Sequence, residues 1–206
     1  MSLYERYENL ITAKESIENA KETIIKSFEQ GGKLLLCGNG GSCSDCDHIV
    51  GELMKGFLSQ RALSEEKKQE MAKNSDSIKV EWLDELQGGL PAISLTSATA
   101  LNTAFCNDVN PELLYAQQLM GLARREDVLF CISTSGNSKN VCAAAIVGKA
   151  LGITVIGLTG HSGGHLKEIA DICICAPETE TYKIQELHLP IYHYICAEIE
   201  KYFFDC

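Results

Sequence analysis

Residues 127–140, DVLFCISTSGNSKN, constrain the fold of this chain more than any other stretch. Val128 to Ile132 form a continuous apolar run of strand length, which is typical of a strand covered on both faces of a parallel sheet. A hydroxyl-rich loop follows at once, and the Ala-rich segment VCAAAIVGKA after it favours a helix. We therefore predict a loop at the carboxyl end of a central strand and the amino end of a helix.

This loop is a predicted anion site. The first turn of a helix carries unpaired N–H groups and a partial positive charge, so a phosphate there gains several charge-assisted hydrogen bonds. The loop adds hydroxyl donors on Ser133, Thr134, Ser135 and Ser138. The alternative is that Asn137 or Ser138 only caps the helix. The hydroxyl density, the central Gly136 and the buried strand favour the anion site.

Segments with strand character alternate with helical segments along the chain. Besides the stretch above, residues 33–37, LPAISLTSAT, ITVIGLTG and DICICA have the apolar character of strands. The alternation predicts an α/β fold, a three-layer sandwich with a five-stranded parallel sheet and right-handed crossovers.

Long helices are predicted at both ends. Apolar residues recur every seven positions over residues 3–30, so one long amphipathic helix is expected there, partly packed against another subunit. A second helix is expected from about Thr181 to Phe204, with Pro190 inside it. Residues 58–88 are highly charged and, apart from Trp82, offer little to bury, so they are predicted to form a surface insertion.

Composition excludes several function classes. A chain of 206 residues with 45% hydrophobic content is expected to fold as one domain over residues 1–206. The net charge of −10 and the lack of a basic cluster argue against nucleic acid or an anionic membrane as partner. No apolar run approaches the ~18 residues of a membrane span. Ten cysteines without a signal-peptide pattern indicate reduced thiols and a cytoplasmic location.

A Gly-rich turn, Gly38 to Gly41, follows the first predicted strand. It is a second candidate cradle for a phosphate or for sugar hydroxyls, because glycine lets backbone N–H groups approach a ligand closely. The turn does not match the dinucleotide-binding pattern. Further along, Asn107 and Asp108 are predicted to lie in a loop, and Asn110 with Pro111 to cap the next helix.

Two pairs of polar residues at helical spacing are candidates for chemistry. His48 and Glu52 are four apart, so both project from one face of a helix. They could share a metal, serve as acid and base, or form a surface ion pair. Gln185 and His193 lie eight apart, a rise of ~12 Å in a straight helix, so they could reach one metal only by leaning toward each other.

The remaining histidines and the one CxxC pair are given structural interpretations. His188 is predicted to be a core or interface residue, and His161 and His165 to be loop residues. Cys43 and Cys46 lack the second pair that a zinc site of this kind needs.

Taken together, the motifs resemble the sugar isomerase (SIS) domain family, and within it the phosphoheptose isomerases. The resemblance rests on CGNGGS, the His48/Glu52 pair, ISTSGNS, LTG with a Gly pair, and ETYKIQELHLPIYH, and it covers nearly the whole chain except the insertion. The chain departs from the family in three places: the insertion, Lys55-Gly56-Phe57 where relatives often carry an Arg, and Cys43 and Cys46 in the first motif.

The resemblance implies a flavodoxin-like fold and a homotetramer with active sites shared between subunits. It assigns the substrate phosphate to Ser133, Thr134, Ser135 and Ser138. It assigns the sugar to Asn39, Gly40, Gly41, Ser42, Asn107, Asp108 and Gln185. It makes Glu52 and His193 the catalytic acid and base, and it makes His48, Glu52, Gln185 and His193 the ligands of zinc in members that bind it.

The implied reaction is isomerisation of sedoheptulose 7-phosphate to a heptose 7-phosphate. Such a reaction removes a proton next to a carbonyl, passes through an enediol and returns the proton to the neighbouring carbon. A carboxylate suits the transfer between carbons and an imidazole suits protonation of the oxygens. Two alternatives are an isomerase of another phosphosugar and a non-catalytic protein of the same fold that senses phosphosugars or binds a partner.

Overall fold

A parallel sheet forms the centre of the computed structural model, which describes residues 3–204. The strands are β1 (Leu34–Gly38), β2 (Ala92–Ser94), β3 (Val128–Ile132), β4 (Thr154–Thr159) and β5 (Ile172–Cys175). They are all parallel and lie in the order β2-β1-β3-β4-β5. The predicted five-stranded parallel sheet is confirmed.

Helices connect the strands and flank the sheet. They are α1 (Leu3–Arg6), α2 (Lys14–Glu29), α3 (Gly41–Met54), α4 (Glu65–Asn74), α5 (Val80–Glu85), α6 (Thr99–Asp108), α7 (Leu114–Leu122), α8 (Lys139–Ala150), α9 (Gly164–Ile169) and α10 (Thr181–Phe204). Short 3-10 helices span Glu8–Ala13 and Pro111–Leu113. No helix in the described part of the chain is long and apolar enough to cross a bilayer.

Both faces of the sheet are covered, which explains why its central strands are apolar at every position. Leu34 and Leu36 of β1 belong to a core that includes α2, α3 and α10, whereas Leu35 and Cys37 belong to a second core with α7, α8 and α9. Since side chains alternate across a strand, a run such as LLLC supplies both layers. This is the predicted three-layer sandwich.

The strand order places a crevice between β1 and β3. Chain order reverses there, because β1 has β2 on one side and β3 on the other. In open α/β sheets, ligands bind outside the carboxyl ends of the strands at such a reversal. The Gly-rich turn leaves β1 at this point and the hydroxyl-rich loop leaves β3 beside it, where Gly38 pairs with Ile132.

The amino-terminal segment is not one uninterrupted helix, so that prediction is wrong. The chain forms α1, a 3-10 helix and then α2. The seven-residue repeat still marks the buried side, because Leu10, Ile17 and Ile24 are almost fully buried. A heptad repeat fixes which face is apolar but leaves local breaks in the helix undetermined.

Two local expectations also require correction. Asn107 and Asp108 end α6 instead of lying in a loop. The insertion contains two short helices, α4 and α5, and it does bury side chains: Leu83 is 5% exposed and Arg61 only 3%. The high charge of this segment gave no sign of these two buried residues.

Candidate functional site

The hydroxyl-rich loop has the form expected of an anion cradle. The hydroxyls of Ser133 and Ser138 lie 3.0 Å apart, so the two ends of the loop close on each other. Ser138 stands at the N-cap position of α8, yet its side chain makes no cap hydrogen bond. The hydroxyl is turned into the loop, and the simple capping interpretation does not describe it. The backbone N–H of Gly136 donates to the Ser133 carbonyl and completes the turn.

A second glycine loop, residues 160–165, holds the first one in place. Gly136 has a positive φ of 66°, and a Cβ on it would collide with the carbonyl of Gly163. The N–H of Gly160 donates to the Thr134 carbonyl, and the N–H of Leu166 donates to the Gly136 carbonyl. The LTG segment with its Gly pair therefore acts as a backbone support for the hydroxyl-rich loop.

The Gly-rich turn after β1 is tied to the same region. Gly40 has a positive φ of 56°, which glycine adopts without strain. The side-chain amides of Asn39 and Asn140 exchange two hydrogen bonds of 2.8 and 2.9 Å. The Tyr115 hydroxyl donates to the Gly38 carbonyl at 2.6 Å and lies 3.1 Å from Asn39 Oδ1. The turn is thus joined to α7 and α8, on the β3 side of the crevice.

Three further candidate residues meet at a separate point, between α3 and α10. His48 Nε2 lies 3.0 Å from Glu52 Oε1 and 3.4 Å from His193 Nε2. One ligand atom from each of the three residues falls within 4.8 Å of the others. We call this group the His–Glu cluster. The i, i+4 spacing on α3 supplies two of its members, and α10 brings the third from far along the chain.

Hydrogen bonds behind the cluster fix the orientation of His48. The Tyr192 hydroxyl donates to Asp45 at 3.2 Å, so it accepts from the His48 Nδ1–H at 3.0 Å. This assignment leaves the lone pair of Nε2 directed at Glu52 and His193. A ligating histidine is commonly oriented in this way through its other ring nitrogen.

The cluster fits a divalent cation. Two imidazole nitrogens and one carboxylate oxygen face one another. Their lone pairs repel each other unless a proton or a cation lies between them. Glu52 Oε2 is also buried without a hydrogen-bond partner among the described residues. A metal ion satisfies both conditions, and imidazole and carboxylate are ligands that zinc accepts. The donor set fits several divalent ions.

The surroundings of His193 favour its neutral form. Burial lowers the pKa of the His193 ring, and the neighbouring His48 lowers it further, while Glu52 acts in the opposite direction. The ring of Phe57 lies against it, with centroids 5.5 Å apart. A neutral imidazole can bind a metal or take up a proton, so the local environment suits either role.

A buried ion pair between Arg61 of the insertion and Glu200 of α10 supports the His–Glu cluster. Arg61 Nε donates to Glu200 at 2.6 Å, and the two side chains are 0% and 2% exposed. Arg61 also donates to the carbonyls of Glu52 and Leu53, which end α3. Glu200 in turn accepts from the backbone N–H groups of Phe57, Leu58 and Ser59. One ion pair thus holds the end of α3, the loop carrying Phe57, and α10.

Other predicted residues make contacts outside the group of His48, Glu52 and His193. The amide of Gln185 lies so close to Gly41 that a Cβ there would collide with it, which places Gln185 at the Gly-rich turn. Ser42 is buried at the start of α3. Asn107 bonds Asp108 at 2.8 Å, and within residues 3–204 no hydrogen bond links either side chain to the other candidates.

Three of the remaining predictions concern histidines and thiols. His188 is fully buried and its Nε2 lies 3.1 Å from the Thr159 carbonyl, so its prediction as a core residue is confirmed. His161 and His165 are exposed in the loop before α9 and at its start. The nine described cysteines are free thiols.

Sequence reasoning missed the residues that support the site: Tyr115, Asn140, Tyr192, Asp45, Phe57, Arg61 and Glu200. Asp45, Asn140 and Tyr192 lie close in sequence to predicted residues, but no pattern assigns them a supporting role. Tyr115, Arg61 and Glu200 come from elements that are distant in sequence from the residues they support.

Family models agree with the class that the fold and site define. Two SIS-domain models match the chain, over residues 3–88 and 93–194. A doubly covered parallel sheet with a hydroxyl-rich loop at its strand-order reversal is thus the framework of a SIS-domain protein.

Curated and solved relatives define the class more narrowly. The chain is 40% identical over 197 residues to "Phosphoheptose isomerase 2" of Campylobacter jejuni, covering 96% of this chain and 84% of that protein. It is 37% identical over 184 residues to the phosphoheptose isomerase of Roseiflexus sp., covering 89% and 80%. A solved phosphoheptose isomerase from Francisella tularensis aligns with a TM-score of 0.75 and 30% identity over 98% of this chain and all of that chain. The chain belongs to the phosphoheptose isomerase family.

Proposed function

We propose that this protein isomerises sedoheptulose 7-phosphate to D-glycero-D-manno-heptose 7-phosphate, as a phosphoheptose isomerase built from one SIS domain. The His–Glu cluster carries the proposal. A phosphate cradle alone suits a sensor as well as an enzyme, whereas a partly buried carboxylate beside two imidazoles supplies the groups that an aldose–ketose interconversion needs.

Glu52 is the proposed base. Its carboxylate takes the proton from the carbon next to the carbonyl and returns it to the neighbouring carbon, so one group serves both half-reactions. His193 protonates and deprotonates the oxygens of the enediol. The lowered pKa of His193 keeps the ring neutral at neutral pH, which lets it accept a proton from a sugar hydroxyl.

The phosphate anchors the substrate by its other end. Ser133, Thr134, Ser135 and Ser138 offer hydroxyl donors, and the first turn of α8 offers N–H groups. Asn39, Gly40, Gly41, Asn107, Asp108 and Gln185 are the proposed contacts of the sugar. Because the cradle fits any phosphate monoester, discrimination among sugars falls to these latter residues.

A divalent cation, proposed to be zinc, would be held by His48, Glu52 and His193, with Gln185 as a further candidate ligand. When bound, such an ion polarises the carbonyl and stabilises the negative charge of an enediolate. Tyr192 and Asp45 orient His48 for this purpose.

The proposed active site is completed by a second copy of the chain, in a homotetramer. Glu52 lies eleven residues beyond Gly41 on α3, a rise of about 16 Å. Each covalent bond of an extended chain advances it by ~1.2 Å, so an extended sugar spans only ~8 Å from its carbonyl carbon to the phosphorus. The separation between the Gly-rich turn and Glu52 on one copy is about twice that length, which supports a site shared between copies. A cavity of about 400 Å³ beside His193, whose rim includes Leu58 at 75% exposure, gives a second copy a place to pack.

Reduced thiols support the cytoplasm as the proposed compartment, since the nine described cysteines form no disulfide.

The reaction is tested by NMR in deuterated water with a panel of ketose and aldose phosphates, with and without a chelator. Deuterium should enter at the carbon next to the carbonyl of sedoheptulose 7-phosphate, and the chelator should slow this exchange. If deuterium enters only another sugar phosphate of the panel, that sugar phosphate is the substrate instead. No exchange with any sugar would favour the sensor alternative.

Subunit sharing is tested by mixing two inactive variants, Glu52→Gln and Ser135→Asp, after dissociation and reassembly. A carboxylate at position 135 should repel the phosphate. After random mixing, half of the cradles and half of the clusters are intact. A shared site needs one of each, so about a quarter of the sites should regain activity. The two variants mixed without dissociation are the control. A mixture as inactive as its components would place the whole site in one copy.

A further inference from the structure

The edge strand β5 carries a pair of thiols outside the site described above. Cys173 and Cys175 are two apart, so their side chains leave the same face of the strand. Ile174 between them points the other way and is fully buried in the core with α2 and α10. The two Sγ atoms lie 3.8 Å apart, and both residues remain partly exposed.

The neighbouring strand leaves room for this pair. Thr159 Oγ1 lies 3.7 Å from Cys173 Sγ and 3.6 Å from Cys175 Sγ, so one hydroxyl contacts both sulphurs. Gly157 stands opposite Cys173 in the sheet and has no side chain to fill the space; a Cβ there would lie 3.3 Å from the sulphur. The two sulphurs therefore converge on a small space at the sheet edge.

The separation of the sulphurs matches a shared ion. A tetrahedral ion with metal–sulphur bonds of ~2.3 Å holds two sulphurs ~3.8 Å apart, whereas a disulfide requires ~2.05 Å. The chain contains a useful contrast in Cys37 and Cys131, whose sulphurs are 3.6 Å apart but whose side chains are 0% exposed in the core. The closed core around Cys37 and Cys131 leaves no room for the further ligands that an ion needs. The pair on β5 lies at the edge of the sheet, where water can supply them.

We propose that Cys173 and Cys175 form a two-thiolate site for a thiophilic divalent cation such as Zn²⁺ or Cd²⁺, separate from the His–Glu cluster. The pair supplies half of a tetrahedral shell, and its partial exposure leaves the other half to water. Soft thiolate ligands select such ions over Mg²⁺ or Ca²⁺.

The charge state of the pair agrees with this role. A cysteine binds metal as the thiolate. The hydrogen bond from the Cys173 thiol lowers the pKa of Cys175 to about 6, and Thr159 and the positive charge of Lys167 act in the same direction. The same hydrogen bond raises the pKa of Cys173, so binding of an ion to both sulphurs should release a proton.

The first test is titration of the reduced full chain with Cd²⁺, followed by ultraviolet absorption. Sulphur ligands give a charge-transfer band that nitrogen and oxygen ligands do not, so binding at the His–Glu cluster stays silent. The wild type should show the band with one equivalent of Cd²⁺, and the C173S/C175S variant should lose it. The C43S/C46S variant is the matched control and should keep it. A band that persists in C173S/C175S, or that disappears in C43S/C46S, overturns the proposal.

A second test needs no substitution, so it stands even if the variants fold poorly. Phenylarsine oxide bridges two adjacent thiols: two S–H bonds break, two As–S bonds form, and the oxygen leaves as water. The folded wild type, treated with one equivalent and digested with trypsin, should carry the adduct on residues 168–183, whose only cysteines are these two. Modification mapped to other cysteines instead, with that peptide unmodified, contradicts an accessible dithiol on β5.

Discussion

The phosphate cradle and the His–Glu cluster are assembled in opposite ways. The cradle consists of consecutive residues, 133–138, and the turn that shapes it is closed by a hydrogen bond from Gly136 to Ser133. The cluster joins residue 48 to residue 193 and depends on contacts between α3, α10 and the loop after α3. A binding loop can thus be specified by a short segment, whereas a proton-transfer site requires several distant segments to pack correctly.

The largest effect is expected from the cluster itself. Glu52→Gln removes the base but keeps the shape of the side chain, so kcat should fall by about 10²- to 10⁴-fold. Steady-state kinetics with sedoheptulose 7-phosphate measure this. Glu81→Gln, at an exposed position on α5, is the matched control and should retain normal activity. A Glu52→Gln enzyme with full activity would remove Glu52 from the mechanism.

The ion pair below the cluster should come next. Arg61→Met leaves the buried Glu200 charge without its partner, and breaking such a pair costs about 3–5 kcal/mol. Chemical denaturation measures the loss of stability. Because Arg61 also holds the end of α3, kcat should fall in the protein that remains folded, with KM changing less.

The double variant Arg61→Met/Glu200→Met provides the control for the ion pair. With both charges replaced by apolar side chains, part of the stability should return. If Arg61→Met alone were as stable as the wild type, the proposed support of α3 would be wrong.

Stability should also depend on pH, through His188 of α10. His188 is buried and its pKa is lowered to about 4 by burial, whereas an unfolded histidine titrates near ~6.5. Between these values the unfolded chain takes up a proton that the folded chain refuses, so stability falls as pH drops from ~6.5 to ~4, by about 3 kcal/mol in all. Denaturation curves across this range measure it. His188→Gln should flatten this part of the profile; an unchanged profile would assign the effect to other groups.

The cradle should show a smaller effect of a different kind. Ser133→Ala removes one hydroxyl donor to a charged phosphate, worth about 1.5–3 kcal/mol. KM should rise by about 10- to 150-fold, with kcat affected less, because the lost contact binds substrate and transition state alike. Ser75→Ala, at an exposed position in the insertion, is the control. A fall in kcat alone would indicate that the cradle acts on the chemistry.

The same contrast explains what could be predicted from the sequence. The strand VLFCI and the loop after it are encoded by neighbouring residues, so their element types follow from apolar runs and local turn chemistry. The sheet and its three layers follow from alternation alone. The ion pair that supports the cluster could not be predicted in this way. Arg61 lies in a segment whose charge predicts solvent exposure, and its partner Glu200 is 139 residues away. No periodicity connects the two positions.

The helix break near residue 8 and the helical placement of Asn107 and Asp108 were missed for a related reason. Both concern where an element begins or ends, and packing decides such limits as much as propensity does. Asn107 and Asp108 are polar residues at the end of the segment ALNTAFCND, so residue type alone favoured a loop, whereas α6 continues to Asp108.

The contact between Gly136 and Gly163 also bears on transplanting this loop into another protein. Residues 133–138 form a short, self-closed segment, which suggests a portable phosphate-binding cassette. Their conformation nevertheless depends on a second loop, 27 residues further along the chain, whose Gly163 carbonyl leaves no room for a side chain at Gly136. A graft of six residues alone would lose its shape; the transferable unit is the pair of loops together with β3 and β4, the two strands that hold them in register.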